Sequence, residues 1–572
     1  MTEKSYPAPD ASECQMVPMR DGVGLYTEIF ISKGKAGPLP TVLVRTPYPS
    51  STFSLDRLKI GLFLEAGYIL AVQWVRGTWK SEGRFQFLRN EAKDGYDTIE
   101  WLAEQSWCNG KVGMFGTSYN ATVQWLAASE KPPHLSCIAP ISPAGMFFNE
   151  TPYIGGAPCK LQLLMWPKYV GCHDWADIGF DYPVDIDNMT DDHPLLKAYR
   201  QSPNDALLDD WHAPVFAEDA RSQLEHSTLD KWWEEIMITP EKAAEINIPI
   251  FTMAGYFDGD LIGCLHNWDT IEKANPVAKS IRYLTLGPWR HAQMTTGQAG
   301  TMGEVNFGEN ASANILDLIC KFFDVYLKGM DPRKADFPKN VRCFISGKNI
   351  WKEFEAYPIP DAQDTVFYLD SSGAAQSLDG DGILKNCPVK DSVPDHLPED
   401  VNDLVPPMDS GQDTRENLAR NDVLVYTGQP LVHDLTVLGS TEAVIYLRAD
   451  VLDADVVVRI EDVYPDGRSV NLTGEFGCAP FRARYREGYD KEVPLIPGEV
   501  AELSFPICHM GHNFKIGHSV RIVITATVDK IIEPNHHTFE PVLTAVERRP
   551  ADLWIFHDGD HPSRVILPSI TL

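Results

Sequence analysis

The sequence predicts an α/β domain built on a parallel sheet, interrupted by a helical insertion and followed by an all-β domain. Three observations carry this expectation. Short apolar runs alternate with helix-periodic segments early in the chain and again near its middle. Between those regions lies a stretch rich in Trp, Pro and Asp that lacks strand periodicity. Beyond about Phe354, alternating strands separated by Gly, Pro and Asp turns replace the helices. At 572 residues the chain exceeds what one hydrophobic core holds, so several domains are expected.

Taken in order, "TVLVRTPY" (Thr41–Tyr48) is a β-branched run closed by proline, and "GYILAVQWVRG" (Gly67–Gly77) is a second apolar run ending at glycine. "EAKDGYDTIEWLAEQ" (Glu91–Gln105) places Ala92, Tyr96, Ile99 and Leu102 at helical spacing. "KVGMFGTS" reads as a buried strand and "ATVQWLAAS" as the helix after it. Strands alternating with helices imply βαβ units. From Pro143 to Glu245 the chain reads as short helices with irregular links. Strands return at "IPIFTMAGYFDG" (Ile248–Gly259) and "IRYLTLGPW" (Ile281–Trp289), with a helical piece between them and "ILDLICKFFDVYLKG" (Ile315–Gly329) after them. These shifts assign 1–142 and 247–354 to the α/β domain, 143–246 to an inserted helical cap and 355–572 to a β-sandwich or jelly roll. The Asp- and Pro-rich stretch Leu378 to Asn421 is expected to be a long surface excursion.

Composition narrows the function. Eighty acidic against 50 basic side chains give a formal net charge of -30. That charge repels phosphate backbones and anionic bilayers, so neither a nucleic acid nor a membrane is an expected partner. No signal-peptide pattern opens the sequence, and no run of eighteen apolar residues is present. The eleven cysteines are scattered without a CxxC pair, which fits a reduced, cytoplasmic setting. No cofactor or metal is expected. There is no P-loop, and no G-x-G-x-x-G opens a helix behind a strand. "LDGDG" (Leu378–Gly382) lacks the glutamate of a calcium loop, and "CHMGH" (Cys508–His512) and His536–His537 lack a convergent third ligand. The expected partner is a small molecule, and homo-oligomerisation is left open.

Catalytic chemistry concentrates at "GMFGTSYNAT" (Gly113–Thr122). A serine becomes a nucleophile when a base takes its proton and a tight strand-to-helix turn exposes its Oγ. Such a turn wants small residues two positions either side of the serine. Gly116 supplies one of them; Asn120 stands in place of the other. A serine there requires an acid and then a histidine, each just beyond a later strand. Asp258 follows the run Ile248–Met253, and His291 follows Ile281–Leu286. Asp260 competes with Asp258 for the acid's place. It could instead face the acyl pocket and favour amine-bearing substrates.

The pieces "VPMRDGVGLYTEIF", "VRTPYP", "RGTWKSEGRF", "SWCNGKVGMFGTSY", "GYFDG" and "GPWRH" resemble the cocaine-esterase and X-Pro dipeptidyl-peptidase family of serine hydrolases. So do "RNDVLVYTGQPL", "VRIEDVYPDGRSVNLT" and "FRARYREG" near the other end. The resemblance implies an α/β-hydrolase domain with a helical cap and a jelly roll. It implies Ser118 as nucleophile, His291 as general base and Asp258 as the residue orienting it. It also implies an oxyanion hole made by the Tyr119 backbone N–H and the Tyr48 hydroxyl. The chain departs from the family's pattern at Asn120 and at Trp74, where the family usually carries an aspartate. The second change is expected to leave Arg76 without its usual partner.

The cap aromatics Trp166, Tyr169, Trp175, Trp232 and Trp233 are candidates to line an aromatic pocket, with the cap's own core as their alternative use. The expected activity is cleavage of an ester, or an amide, of a small aromatic or alicyclic acyl compound through an acyl-enzyme. Handing the acyl group to an alcohol, amine or internal nucleophile would make an acyltransferase or cyclase instead. An X-Pro dipeptidyl peptidase and a catalytically silent binding protein are the remaining readings.

Overall fold

The computed structural model describes residues 10–32, 37–49, 53–172, 189–190, 192–201, 204–295, 297–335, 340–400 and 403–572. Ten strands form the first sheet. From edge to edge they are Glu13–Pro18, Gly24–Phe30, Ile69–Trp74, Leu39–Thr46, Cys108–Thr117, Leu135–Ile141, Ile250–Phe257, Arg282–Arg290, Val341–Ile345 and Ile350–Phe354. From Ile69–Trp74 to Val341–Ile345 every neighbouring pair is parallel. The outer strands pair antiparallel. Ile69–Trp74 and Ile250–Phe257 are buried at every position, as expected for strands covered on both faces. Parallel strands all end on one side of the sheet, and the residues just beyond those ends gather there.

Helix Glu91–Ala103 forms where its spacing predicts, but its buried face differs. Glu91, Asp94, Gly95, Thr98, Ile99 and Leu102 are buried, while Ala92 and Tyr96 are only partly so. The polar members of that face have partners that apolar periodicity cannot reveal. Glu91 pairs with the fully buried Arg45, Asp94 with Arg76, and the Thr98 hydroxyl with Gln73. Helix Ile315–Tyr326, in contrast, buries an apolar stripe through Ile319, Phe322 and Phe323.

After Ile141 the chain leaves the sheet and re-enters it at Ile250. The excursion carries the helices Lys160–Gly171, Pro194–Tyr199, Asn204–Trp211, Pro214–Glu225, Lys231–Glu234 and Pro240–Ala244. From Gln363 onward the regular elements of the described residues are strands, apart from the short 3-10 turns Asn417–Ala419 and Ala483–Tyr485. A twelve-stranded sheet includes the long antiparallel pair Leu435–Ala449 with Val500–Phe514. The stretch Leu378 to Asn421, expected as a surface excursion, is in its described part tied into the domain. It contributes strands Ile383–Lys385 and Asp395–Glu399 to this sheet. Its acidic character misleads because Asp395 is buried, accepting hydrogen bonds from Ser371, Tyr426 and the Ala375 amide. The two sheets meet where Ser346 bridges His512, whose Nδ1 lies 2.7 Å from the Ser346 hydroxyl.

Candidate active site

Ser118 sits between strand Cys108–Thr117 and helix Tyr119–Ser129 with φ 63° and ψ -129°, a conformation L-residues rarely adopt. The surrounding turn fixes it there. The Ser118 amide donates to the Ile141 carbonyl at 2.9 Å, and its own carbonyl accepts from the Ala121 and Thr122 amides. Gly116 has φ 151°, and a Cβ at that position would lie 2.5 Å from the Cβ of Asn120. The turn therefore needs a glycine before the serine, and it accepts Asn120 after it. Asn120 is buried, and its Oδ1 has no hydrogen-bond partner among the described residues.

Tyr48 lies just past strand Leu39–Thr46, and its hydroxyl donates to Ser118 Oγ at 3.3 Å. Burial pushes the Tyr48 phenol above its ordinary pKa, so it stays a donor across the neutral range. Trp74, at the end of the adjoining strand, donates its indole N–H to the Tyr48 carbonyl at 2.9 Å. Arg76 is not left unpartnered by Trp74. It is held by Asp94 and Asp21, both at 2.7 Å. The Tyr119 backbone N–H belongs to the first helical turn, whose amides have no partner within the helix. The Tyr119 hydroxyl reaches back to buried Glu91 at 3.0 Å.

Asp258 and His291 follow strands Ile250–Phe257 and Arg282–Arg290. His291 Nδ1 lies 2.9 Å from Asp258 Oδ1, and the Ser142 hydroxyl donates to the other carboxylate oxygen. Burial alone would depress the His291 pKa. The charge and hydrogen bond of Asp258 override that and lift it well above the ordinary range, with Asp260 and Glu475 adding to the effect. Asp260 Oδ2 stands 3.8 Å from the same nitrogen. Burial, reinforced by Asp258, pushes the Asp260 carboxyl up to about 7 against the opposing pull of His291. Among the described residues, Asp258, Asp260 and His291 are the one group whose ligand atoms lie within 4.8 Å of one another, as a metal site would require. Hydrogen bonds already hold that group together: Asp258 accepts from His291, Ser142 and the Asp260 amide.

Ser118, His291, Tyr48 and Asp260 line one cavity of about 310 Å³. Phe87, Trp166, Tyr169 and Phe476 contribute aromatic walls, and Glu475 adds a second carboxyl group. Trp232 and Trp233 do not line it, which corrects their expected placement. Trp232 stacks on His226, at 4.7 Å between ring centroids, and carries the Arg89 guanidinium 3.6 Å from its ring. Trp233 is fully buried against Phe147 and Phe148 as cap core. Trp175 lies outside the described residues. Glu475 and Ser142 escaped sequence reasoning. Ser142 follows a strand end, a signal that could have found it, whereas Glu475 comes from the distant β domain, between two family-like motifs that do not include it.

An α/β fold that exposes a serine at a strained strand–helix turn, beside a paired histidine and aspartate, defines the class of serine hydrolases. The sequence model of the X-Pro dipeptidyl-peptidase (S15) family matches residues 21–293, and that of the X-Pro dipeptidyl-peptidase C-terminal non-catalytic domain matches 331–566. A cocaine esterase of Rhodococcus sp. (strain MB1 Bresler) is 30% identical over 97% of this chain and 98% of its own. Among solved structures, an α-amino acid ester hydrolase superposes with a TM-score of 0.79 at 26% identity, covering 100% of this chain and 99% of that one. An aminopeptidase from a marine sediment archaeon, Thaumarchaeota archaeon, shares the fold with a TM-score of 0.84 at 24% identity, with coverage of 100% and 99%. The chain belongs to the cocaine-esterase and X-Pro dipeptidyl-peptidase family, and it is an ester-hydrolysing serine hydrolase. No helix of the described residues is long and apolar enough to cross a membrane.

Proposed function

We propose that Ser118, His291 and Asp258 form the catalytic triad and cleave an ester of a small aromatic acyl compound. The observation that carries this reading is the His291 Nδ1 to Asp258 Oδ1 bond of 2.9 Å, opening on the cavity that also holds Ser118. His291 takes the Ser118 proton as Oγ attacks the ester carbonyl, and returns it to the departing alcohol. Asp258 holds the ring so that Nδ1 carries the proton, and it stabilises the imidazolium. The developing oxyanion is met by the Tyr48 hydroxyl and the Tyr119 N–H. Water activated by His291 then releases the acid. The aromatic walls and the size of the cavity suit a compact ring-bearing acyl group.

A second reading concerns the charge of that substrate. Asp260 and Glu475 place two carboxyl groups in the cavity beside its aromatic walls. An ammonium group near the scissile carbonyl would favour their ionised forms, and the α-amino acid ester hydrolase among the structural relatives acts on amine-bearing esters by its name.

Two measurements test these readings. Intact-mass analysis after fluorophosphonate treatment is expected to show one adduct on the wild type and none on Ser118→Ala. An unlabelled, folded wild type overturns the triad. Kinetics with p-nitrophenyl phenylacetate and an α-amino phenylacetyl ester then separate the substrate readings. Asp260→Asn should raise KM for the amino ester about tenfold more than for the neutral one, and equal effects on both would remove the amine reading.

A further inference from the structure

The wall of the cavity is completed from the second domain. Strand Ser469–Asn471 is followed by a turn that brings Glu475 and Phe476 to the acid-bearing loop. That turn is anchored on both sides. Asn471 Nδ2 donates to the Gly477 carbonyl at 2.7 Å, and the Ser410 hydroxyl donates to the Gly474 carbonyl. The Glu475 carboxylate accepts the backbone N–H of Gly259, the residue between Asp258 and Asp260. The approach is close. A Cβ on Gly259 would stand 3.1 Å from Glu475 Oε2 and from the Phe476 ring.

We infer that Glu475 is a positioning residue of the catalytic centre: its carboxylate clamps the loop bearing Asp258 and Asp260, and its charge stabilises the imidazolium that forms on His291. The inference rests on His291 acting as the base. Without the clamp, the Gly259 amide would lose its partner and the Asp258 carboxylate would gain freedom relative to the imidazole. The jelly roll thereby supplies part of the catalytic machinery.

The groups facing Glu475 fix the sign of its electrostatic effect. Asp258 and Asp260 come from the same loop and His291 from the next strand end. Cys478, Cys508 and His509 line a smaller cavity with Glu475, where burial keeps His509 neutral, and buried Glu150 acts on Asp260. Burial, with Asp258 adding, pushes the Glu475 carboxyl up to about 7 while His291 pulls the other way. Above that pH Glu475 is an anion and helps His291 hold its proton. Removing the charge makes His291 release the proton more readily, so the acid limb of kcat/KM moves to lower pH.

The experiment uses two variants of the full chain, with Ser118→Ala alongside, on p-nitrophenyl acetate from pH 5 to 9. Glu475→Gln keeps an oxygen for the Gly259 amide and loses the charge. Its acid limb is expected to fall by about 0.5–1 pH unit. Glu475→Asp keeps the charge but is one methylene too short for the clamp. Its kcat is expected to drop about three- to tenfold with the limb unmoved, because misplaced catalytic groups lose rate. A wild-type limb in Glu475→Gln overturns the electrostatic role, and a wild-type kcat in Glu475→Asp overturns the clamp. Full turnover by Ser118→Ala would instead sink the triad on which the inference rests, a separate failure. Should Glu475→Gln not fold, Glu475→Asp still decides the clamp, and a wild-type pH profile for a folded Glu475→Ala overturns the electrostatic role.

Discussion

Trp74 shows how one side chain can do at a distance what its replacement would do differently. Its indole N–H holds the Tyr48 carbonyl at 2.9 Å, and Tyr48 presents its hydroxyl to Ser118. Trp74→Phe keeps most of the packing and removes the hydrogen bond. We expect kcat to fall about three- to tenfold with KM little changed, since a loosened donor is missed mainly in the transition state. Removing the donor itself costs more. Tyr48→Phe is expected to lower kcat about 10²–10³-fold, measured by steady-state turnover of an activated ester. Asn120 is a different case. Its Oδ1 is buried without a partner among the described residues, so Asn120→Ala should be neutral or stabilising by about 1 kcal/mol in thermal unfolding. Fluorophosphonate labelling of that variant should persist. These residues also mark the limits of sequence reading. The positions of Ser118, Asp258 and His291 were legible because each follows a recognisable apolar run. The partners of Trp74 and Arg76 were not, because hydrogen bonds between neighbouring strands and loops leave no periodic trace.

At the scale of elements, the strand–turn–helix around Ser118 depends on the close approach of Gly116 to Asn120. Gly116→Ala adds a methyl group 2.5 Å from the Asn120 Cβ at φ 151°. The expected cost is about 2–4 kcal/mol, combining overpacking with backbone strain, together with loss of labelling at Ser118. Unchanged stability and labelling would mean that the turn relaxes without penalty. Element types were well marked in the sequence, but burial was less so. Helix Glu91–Ala103 turns Glu91, Asp94 and Thr98 inward because Arg45, Arg76 and Gln73 await them. Asp395–Glu399 becomes a strand despite its charge because Asp395 meets three donors. In both elements a buried polar group is tolerated because it is paired, and pairing across the fold is invisible to a local pattern. The same reason hid Glu475, whose partner Gly259 lies in another domain.

At the scale of the whole molecule, the cap and the β domain are joined by a buried charge cluster. Lys160 from the cap lies 3.6 Å from Glu533, which also accepts from Asn204 at 2.8 Å. Burial would raise the Glu533 pKa, but Lys160 and His536 override it and hold the carboxyl at about 2. A carboxylate depressed in the folded state stabilises above its unfolded value of 4.5, and the contribution is lost as pH falls towards 2. Glu533→Gln leaves Lys160 buried beside a neutral group. It is expected to cost about 3 kcal/mol and to flatten the acid dependence of unfolding between pH 4.5 and 2, read by calorimetry across that range. An unaltered acid profile would mean that the cluster does not hold the two domains together.

The order in which the proposed active-site residues occur along the chain also bears on its birth. Ser118 and Tyr48 precede the inserted cap, Asp258 and His291 follow it, and Glu475 comes from the β domain. A ribosome adding roughly 5–20 residues per second needs on the order of 20–70 s between Ser118 and Glu475. Through that interval the growing polypeptide carries a serine without its full set of assistants. The cavity gains the wall formed by Glu475 and Phe476 only after the β domain has been made.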